Sequence, residues 1–253
     1  MYATATEVKN NFGRYLDLCK RESVIITKNG KKQALLLHYP RDHQGFVAGE
    51  PIHQYGTSPA KSSSVTYREF LEMTETSDAR YELIDGEVYM LPSPSFFHQK
   101  ILLNLISVFL DYFKSDKTCT PLFAPLDIEL VRDSVRKQRE VTEDDICIVQ
   151  PDIMILCNAE HMLDEKEKFK GTPVLVVEVL SPSTRGRDLF IKGGLYEESG
   201  IEEYWAVDPV KRTVTLFSFK DFSIADNEHS SSGDMVNSLT FPGLSISVDT
   251  LFS

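Results

Sequence analysis

Apolar residues first settle into a pattern just after Thr4, where Val8, Phe12, Tyr15, Leu16 and Cys19 recur at helical spacing on one face. Thr4 with Glu7 three residues later is a capping box, so one helix is expected to start there. The segment SVIITKNGKKQALLLHY then reads as two strands joined at Asn29-Gly30, a dipeptide that favours a tight hairpin turn. A helix and a hairpin within residues 1–40 bury little surface alone, and such a unit is expected to dimerise or dock on something. Residues 41–65 have no apolar period and are rich in Gly, Pro and Ser, the composition of a linker.

A second capping box, Thr66 with Glu69, opens the helix YREFLEM and with it a larger domain over residues 66–253. RYELIDGEVYML is a hairpin turning at Asp85-Gly86. With that turn Ile84 opposes Glu87 and Glu82 opposes Tyr89, which puts Glu82 and Glu87 on one face. A helix of about 95–115 follows, buried through Ile101, Leu102, Leu105, Phe109 and Phe113, with His98 in its first turn. Beyond it come a strand near 122–131, a polar stretch 132–144, two apolar strands, a helix of about 187–199 stopped by Gly200, and the strand-like EYWAVDP and RTVTLFSF. Helices and strands alternating in this way imply an α/β sheet covered by helices.

The two apolar strands each contain a carboxylate, Asp152 in QPDIMILC and Glu178 in PVLVVEVLS. A strand apolar on both faces is the buried middle of a sheet, where an ionised carboxylate costs roughly several kcal/mol unless a cation answers it. A divalent metal would do so, and so would an arginine such as Arg185 or Arg187. Hard cations take oxygen ligands, which these carboxylates supply.

Composition narrows the function classes. The hydrophobic fraction of 42% and charged fraction of 26% are those of a globular protein, and neither an apolar run of spanning length nor a secretory h-region is present, so a cytoplasmic, non-membrane protein is expected. Cys19, Cys119, Cys147 and Cys157 show no CxxC spacing, which points to buried free thiols. Net charge is −11, but it is divided. Residues 1–40 hold seven Lys or Arg against three acids, a net +4, while the remainder holds 20 against 35, a net −15. The basic piece is the small one.

YELIDGEVY, the PSPxxxH that ends at His98, Pro151-Asp152, VVEVLSPST, and Lys192 and Tyr196 ahead of GIEEYWAVDP together resemble the Uma-two family of restriction-endonuclease-like proteins, within the PD-(D/E)XK nuclease superfamily. The resemblance spans roughly residues 66–252. It implies a restriction-endonuclease-like α/β fold, a mixed sheet flanked by helices, in which Asp152 and Glu178 hold Mg²⁺ or Mn²⁺ with the main-chain carbonyl of Val179 as a third ligand. It also implies hydrolysis of DNA phosphodiesters. The superfamily pattern carries lysine two residues after the strand glutamate, where this chain has Leu180. Lys192, flanked at helical spacing by Asp188 and Tyr196, is the replacement from the following helix. Glu82 and His98 are further catalytic candidates, Glu82 as a third carboxylate or part of a solvated face, His98 as a phosphate contact, a proton carrier or a capping residue. Tyr204 and Trp205 read as core.

The first 35 or so residues, ATEVKNNFGRYLDLCK with VIITKNGKKQALLL, resemble the prevent-host-death antitoxins of Phd/YefM type. That resemblance implies a homodimerising, DNA-binding module whose basic surface is Lys9, Arg14, Lys28, Lys31 and Lys32. Two functions are therefore expected as alternatives: a metal-dependent DNA endonuclease, or a catalytically inactive DNA-binding or regulatory protein of toxin–antitoxin type on a nuclease fold.

Overall fold

The computed structural model describes residues 1–19, 24–28, 31–36, 64–115, 118–165 and 167–253, with backbone alone for 31–35. The Asn29-Gly30 turn, the side chains of Lys31 and Lys32 and nearly all of the expected linker lie outside the described residues. The chain divides into two compact units, Met1–Phe46 and Val47–Ser253.

In the small unit β1 (Tyr2–Thr4) runs parallel to β2 (Val24–Lys28), which pairs antiparallel with β3 (Lys31–Leu36). The expected capping box forms: Glu7 N–H donates to Thr4 Oγ1 at 3.2 Å and Thr4 N–H to Glu7 Oε2 at 2.8 Å. The expected single helix is instead two, α1 (Ala5–Asn10) and α2 (Phe12–Leu18), broken at Asn11, whose backbone leaves the helical region at φ −134°, ψ 37°. The break rotates the second half. Val8, Tyr15 and Cys19 are buried with Ala3 and Val24, whereas Phe12 and Leu16 are 52% and 41% exposed.

The large unit begins with α3 (Tyr67–Glu75), capped by Thr66 as expected, and the hairpin β4 (Tyr81–Ile84) and β5 (Glu87–Met90). Asp85 and Gly86 both adopt positive φ (52° and 79°), the signature of the tight turn read from their identity, and the register is the expected one. α4 (Phe96–Phe113) is capped by Ser95, whose Oγ accepts from His98 N–H at 3.2 Å. The strand expected over 122–131 is two strands in different sheets, β6 (Cys119–Phe123) and β7 (Ile128–Leu130), separated by a stretch containing Pro125, which has no N–H to give to a ladder. After α5 (Asp133–Arg136) come β8 (Cys147–Val149), β9 (Ile153–Cys157) and β10 (Leu175–Val179). The helix expected over 187–199 opens as a π-helical stretch, Arg187–Lys192, and continues as α6 (Gly193–Glu198). β11 (Glu203–Asp208), β12 (Thr213–Lys220), β13 (Ser223–Ser230), β14 (Met235–Asn237), β15 (Ser245–Ser247) and α7 (Val248–Leu251) complete the chain.

A six-stranded mixed sheet, ordered β13-β12-β11-β10-β9-β6, has β10 parallel to β11 and its other pairs antiparallel. A four-stranded antiparallel sheet is ordered β5-β4-β8-β7. Strand alternation sorts the large sheet into two faces. Ile153, Ile155, Leu175, Val177, Val179, Trp205 and Val207 pack with Ile101, Leu105, Phe109 and Phe113 of α4. Met154, Leu156, Val176, Tyr204 and Ala206 pack on the opposite face with Tyr196 of α6 and with Ile84 and Val149 of the small sheet. Tyr204 and Trp205 are core, as read. Cys119 and Cys157 stand directly opposite each other in the ladder and form a disulfide, so the free-thiol reading holds only for Cys19 and Cys147. Among the described residues, no helix is long and apolar enough to cross a membrane.

Candidate active site

Glu178 lies on the same face of β10 as Val176, the face that meets the small sheet. The last ladder pair of β10 and β9 is Val177 with Ile153, so the next step along each strand is Glu178 and Asp152. Asp152 Oδ2 accepts from Val179 N–H at 2.8 Å and lies 3.1 Å from His98 Nε2. α4 covers one face of the sheet, yet its capped first turn reaches the strand end and brings His98 to Asp152.

Lys192 comes to the site from the π-helical stretch, in which Gly193 N–H reaches back to Asp188 O, five residues earlier. Such stretches concentrate at functional sites. Its Nζ lies 2.6 Å from Glu178 Oε1 and 2.7 Å from Glu82 Oε1, and the side chain is fully buried. Tyr196, one turn on, donates its O–H to the same Glu178 Oε1 at 2.5 Å. Glu82 Oε1 also accepts from Gln150 N–H at 2.9 Å, and Arg187 Nη2 stands 3.8 Å from Glu82 Oε2. Arg187 Nε is 3.5 Å from Asp188 Oδ1.

Direct contacts join Lys192 to Glu178 and Glu82, and His98 to Asp152, and the two groups meet where Asp152 accepts from the N–H of Val179, the residue after Glu178. Glu82 is wholly buried, not part of a solvated hairpin face, while Glu87 at the hairpin end is exposed and accepts from Tyr89 O–H at 2.6 Å. Neither Arg185 nor Arg187 forms a direct ion pair with Asp152 or Glu178: Arg185 pairs with Asp208, and Arg187 with Glu82 and Asp188, although Glu178 still acts on Arg187 through its charge. The sequence reading missed Gln150 as a partner of Glu82. A main-chain donor leaves no mark on residue identity. In the small unit Lys9, Arg14 and Lys28 are exposed.

Four carboxyl groups, Glu82, Asp152, Glu178 and Asp188, surround two cations, Lys192 and Arg187, so acidic groups outnumber these basic ones. The electrostatics follow from that count. Burial pushes the Glu178 carboxyl up to about 8 against the pull of Lys192, with Asp152, Asp188 and Glu82 adding to the push. Burial also raises Asp188. For Lys192 burial acts downward, but Glu178, Glu82 and Asp188 outweigh it and hold the ammonium above its ordinary range. Burial and Glu178 keep the Tyr196 phenol well above its usual value, so it remains a donor.

Among the described residues no group of three or more His, Cys, Asp or Glu is arranged to hold a metal. A pair remains. Asp152 Oδ1 and Glu178 Oε2 have no hydrogen-bond partner among the described residues, and both residues border one cavity. That cavity measures about 590 Å³ and is also bordered by His98, Lys192, Arg187 and Ser181. Two carboxylate oxygens from adjacent strands, in a cluster where acids outnumber bases, fit a hard divalent cation that keeps water in its remaining positions.

Residues 67–249 match the model of the Uma2 family, described as "Putative restriction endonuclease". An uncharacterized protein of Synechocystis sp. is 27% identical over 154 residues, 60% of this chain and 73% of that one. A crystal structure described as a "putative nuclease belonging to DUF820" from Anabaena variabilis shares the fold, with a TM-score of 0.57 at 21% identity over 74% of this chain and 97% of that one. The sheet that brings Asp152 beside Glu178 is therefore a restriction-endonuclease-like one, and the chain belongs to the Uma2 family of endonucleases.

Proposed function

We propose that this protein is a metal-dependent DNA endonuclease whose divalent cation, Mg²⁺ or Mn²⁺, is held by Asp152 and Glu178 with the Val179 carbonyl as a third oxygen. The observation that carries the reading is a cluster rich in acids in which Asp152 and Glu178, side by side on neighbouring strands and each with one oxygen lacking a hydrogen-bond partner among the described residues, border one cavity. When bound, such a cation polarises a phosphoryl oxygen and lowers the pKa of a coordinated water.

The protein's own groups set that arrangement. Val179 N–H and His98 both occupy Asp152 Oδ2 and so leave Oδ1 without a partner among the described residues. Lys192 and Tyr196 do the same for Glu178 by occupying Oε1. Glu82 anchors Lys192 from the opposite sheet, making it and His98 positioning residues in this scheme. Lys192 replaces the strand lysine in charge and pulls against the burial that raises Glu178, a pull to which a bound divalent cation would add by displacing the proton. The basic unit over residues 1–40, through Lys9, Arg14, Lys28, Lys31 and Lys32, would tether the enzyme to DNA as a homodimer. Its charge of +4 beside an acidic remainder supports that division of labour.

Cleavage of supercoiled plasmid in Mg²⁺, abolished by chelator and by Asp152→Ala, is the expected result. Titration calorimetry with Mn²⁺ should show binding that Asp152→Ala removes. No binding, or binding that Asp152→Ala leaves unchanged, would transfer the protein to the non-catalytic DNA-binding class.

A further inference from the structure

Large apolar side chains are expected to be covered, yet in the large unit Phe96, Phe97, Phe123, Phe190 and Phe222 are exposed, and two of these five border the cavity of the candidate site. Phe97 is 70% exposed and Phe123 62% exposed. Both border the cavity that contains Asp152 and Glu178. Their placement is tied to Asp152 from two directions. Phe97 immediately precedes His98, whose ring contacts Asp152, and Phe123 is the ladder partner of Ile153, with the next residue, Ala124, donating its N–H to Asp152 O at 3.2 Å. Leu103 and Val210, 63% and 69% exposed, continue the same apolar wall.

The charges along this wall argue against a duplex lying on it. Three cationic side chains border the cavity, and two of them, Lys192 and Arg187, are buried against carboxylates. Among the described residues that leaves Arg80, half-buried, to meet a phosphate chain. Duplex binding rests on many phosphate contacts, whereas strands with unpaired bases gain their affinity by stacking on aromatic faces. A cavity of about 590 Å³ also has the size that encloses a nucleotide, within the roughly 300–1,000 Å³ of small-ligand sites.

Resting on the nuclease reading of the same site, we propose that the cavity takes an unpaired DNA strand, its bases stacked on Phe97 and Phe123 and its phosphate presented to Asp152 and Glu178. The substrate class is thus single-stranded or locally opened DNA. Phe97 and Phe123 are its specificity determinants.

The test uses the full chain in Mg²⁺ with fluorescein-labelled phosphorothioate oligonucleotides, which resist cutting, read by anisotropy, alongside cleavage of the ordinary oligonucleotides. Because the basic unit can hold either form of DNA, the cavity is read from cleavage and from the aromatic variants: the single strand should be cut at least about tenfold faster than its duplex, and Phe97→Ala and Phe123→Ala should each weaken strand binding about fivefold or more while leaving duplex binding unchanged, with Phe123→Tyr restoring it. Strand binding indifferent to both alanine variants, or duplex binding weakened by them as much as strand binding, overturns the proposal. So does a change of sedimentation from dimer to monomer in Phe97→Ala with strand affinity unchanged, which would give this wall to a second copy of the chain. Strand binding that follows Phe97 and Phe123 without any cleavage keeps this inference and sinks the nuclease reading. Cleavage that needs Asp152 but prefers duplex does the reverse.

Discussion

Lys192→Met removes one ammonium from between two carboxylates without changing the length of the side chain greatly. Glu82 and Glu178 are 0% and 4% exposed, so neither can recover the lost interaction from water. Deleting one partner of a buried ion pair costs about 3–5 kcal/mol. The chain's single tryptophan, Trp205, is fully buried against Phe109 with ring centroids 5.6 Å apart, so its emission follows the large unit alone. With a urea dependence of about 2 kcal/mol per molar, the unfolding midpoint at pH 8.5 should fall by about 2 M. The sign of the pH effect follows from Glu178, whose folded-state value of about 8 lies above its ordinary 4.5. Between these values the folded state binds more protons than the unfolded, so this group's stabilising contribution is complete below 4.5 and is lost as pH rises through 8. Without the ammonium the carboxyl moves further up. A proton then substitutes for Lys192 at pH 5, and the midpoint loss there should be less than half of that at pH 8.5. Lys192→Met combined with Glu178→Gln should recover most of the loss at pH 8.5. A shift below about 0.5 M at pH 8.5, or equal shifts at both pH values, would refute the reasoning that the lysine offsets buried charge.

Tyr196→Phe deletes the donor to Glu178 Oε1 and should destabilise by about 1–3 kcal/mol while cutting plasmid cleavage more than strand binding, measured by urea titration and by gel. Glu203 accepts from Trp205 Nε1 at 2.5 Å, Ser238 Oγ at 2.9 Å, Leu239 N–H at 3.0 Å and Thr240 N–H at 2.7 Å, so Glu203→Ala strands buried donors. A loss of about 3 kcal/mol, seen as a melting temperature lower by about 6–12 °C, and faster amide exchange at 238–244 are expected. Ser95→Ala should cost about 1 kcal/mol and loosen His98, detectable as a lower melting temperature. Gly86→Ala should cost more than that cap, because φ is 79° and the added Cβ would meet Ser64 Cβ at 2.6 Å.

The parts that were legible in the sequence are those encoded by residues near in the chain. Capping boxes at Thr4 and Thr66 and the Asp85-Gly86 turn appear as read, since each depends on three or four adjacent residues. The unbroken apolar runs around β9 and β10 made Asp152 and Glu178 conspicuous as acids in apolar strands. What escaped were events decided at a distance. Asn11 splits a helix whose apolar period runs straight through the break. Pro125, with no N–H to give to a ladder, falls in one apolar run that the fold divides between two sheets. Cys119 meets Cys157 across 38 residues only because β6 and β9 pair in one register. The burial of Glu82 depends on a second sheet that no local pattern announces.

Lysine at the expected strand position would stand where Leu180 packs against the core, so the ammonium here arrives from a different stretch of chain. Lys192 and Tyr196, one turn apart, converge on a single oxygen of Glu178. For anyone searching genomes, a pattern that demands a charged residue two places after the glutamate would discard this chain. A pattern asking for lysine and, four residues on, tyrosine after the strand would keep it, and would gather other chains in which the same ammonium has changed its address.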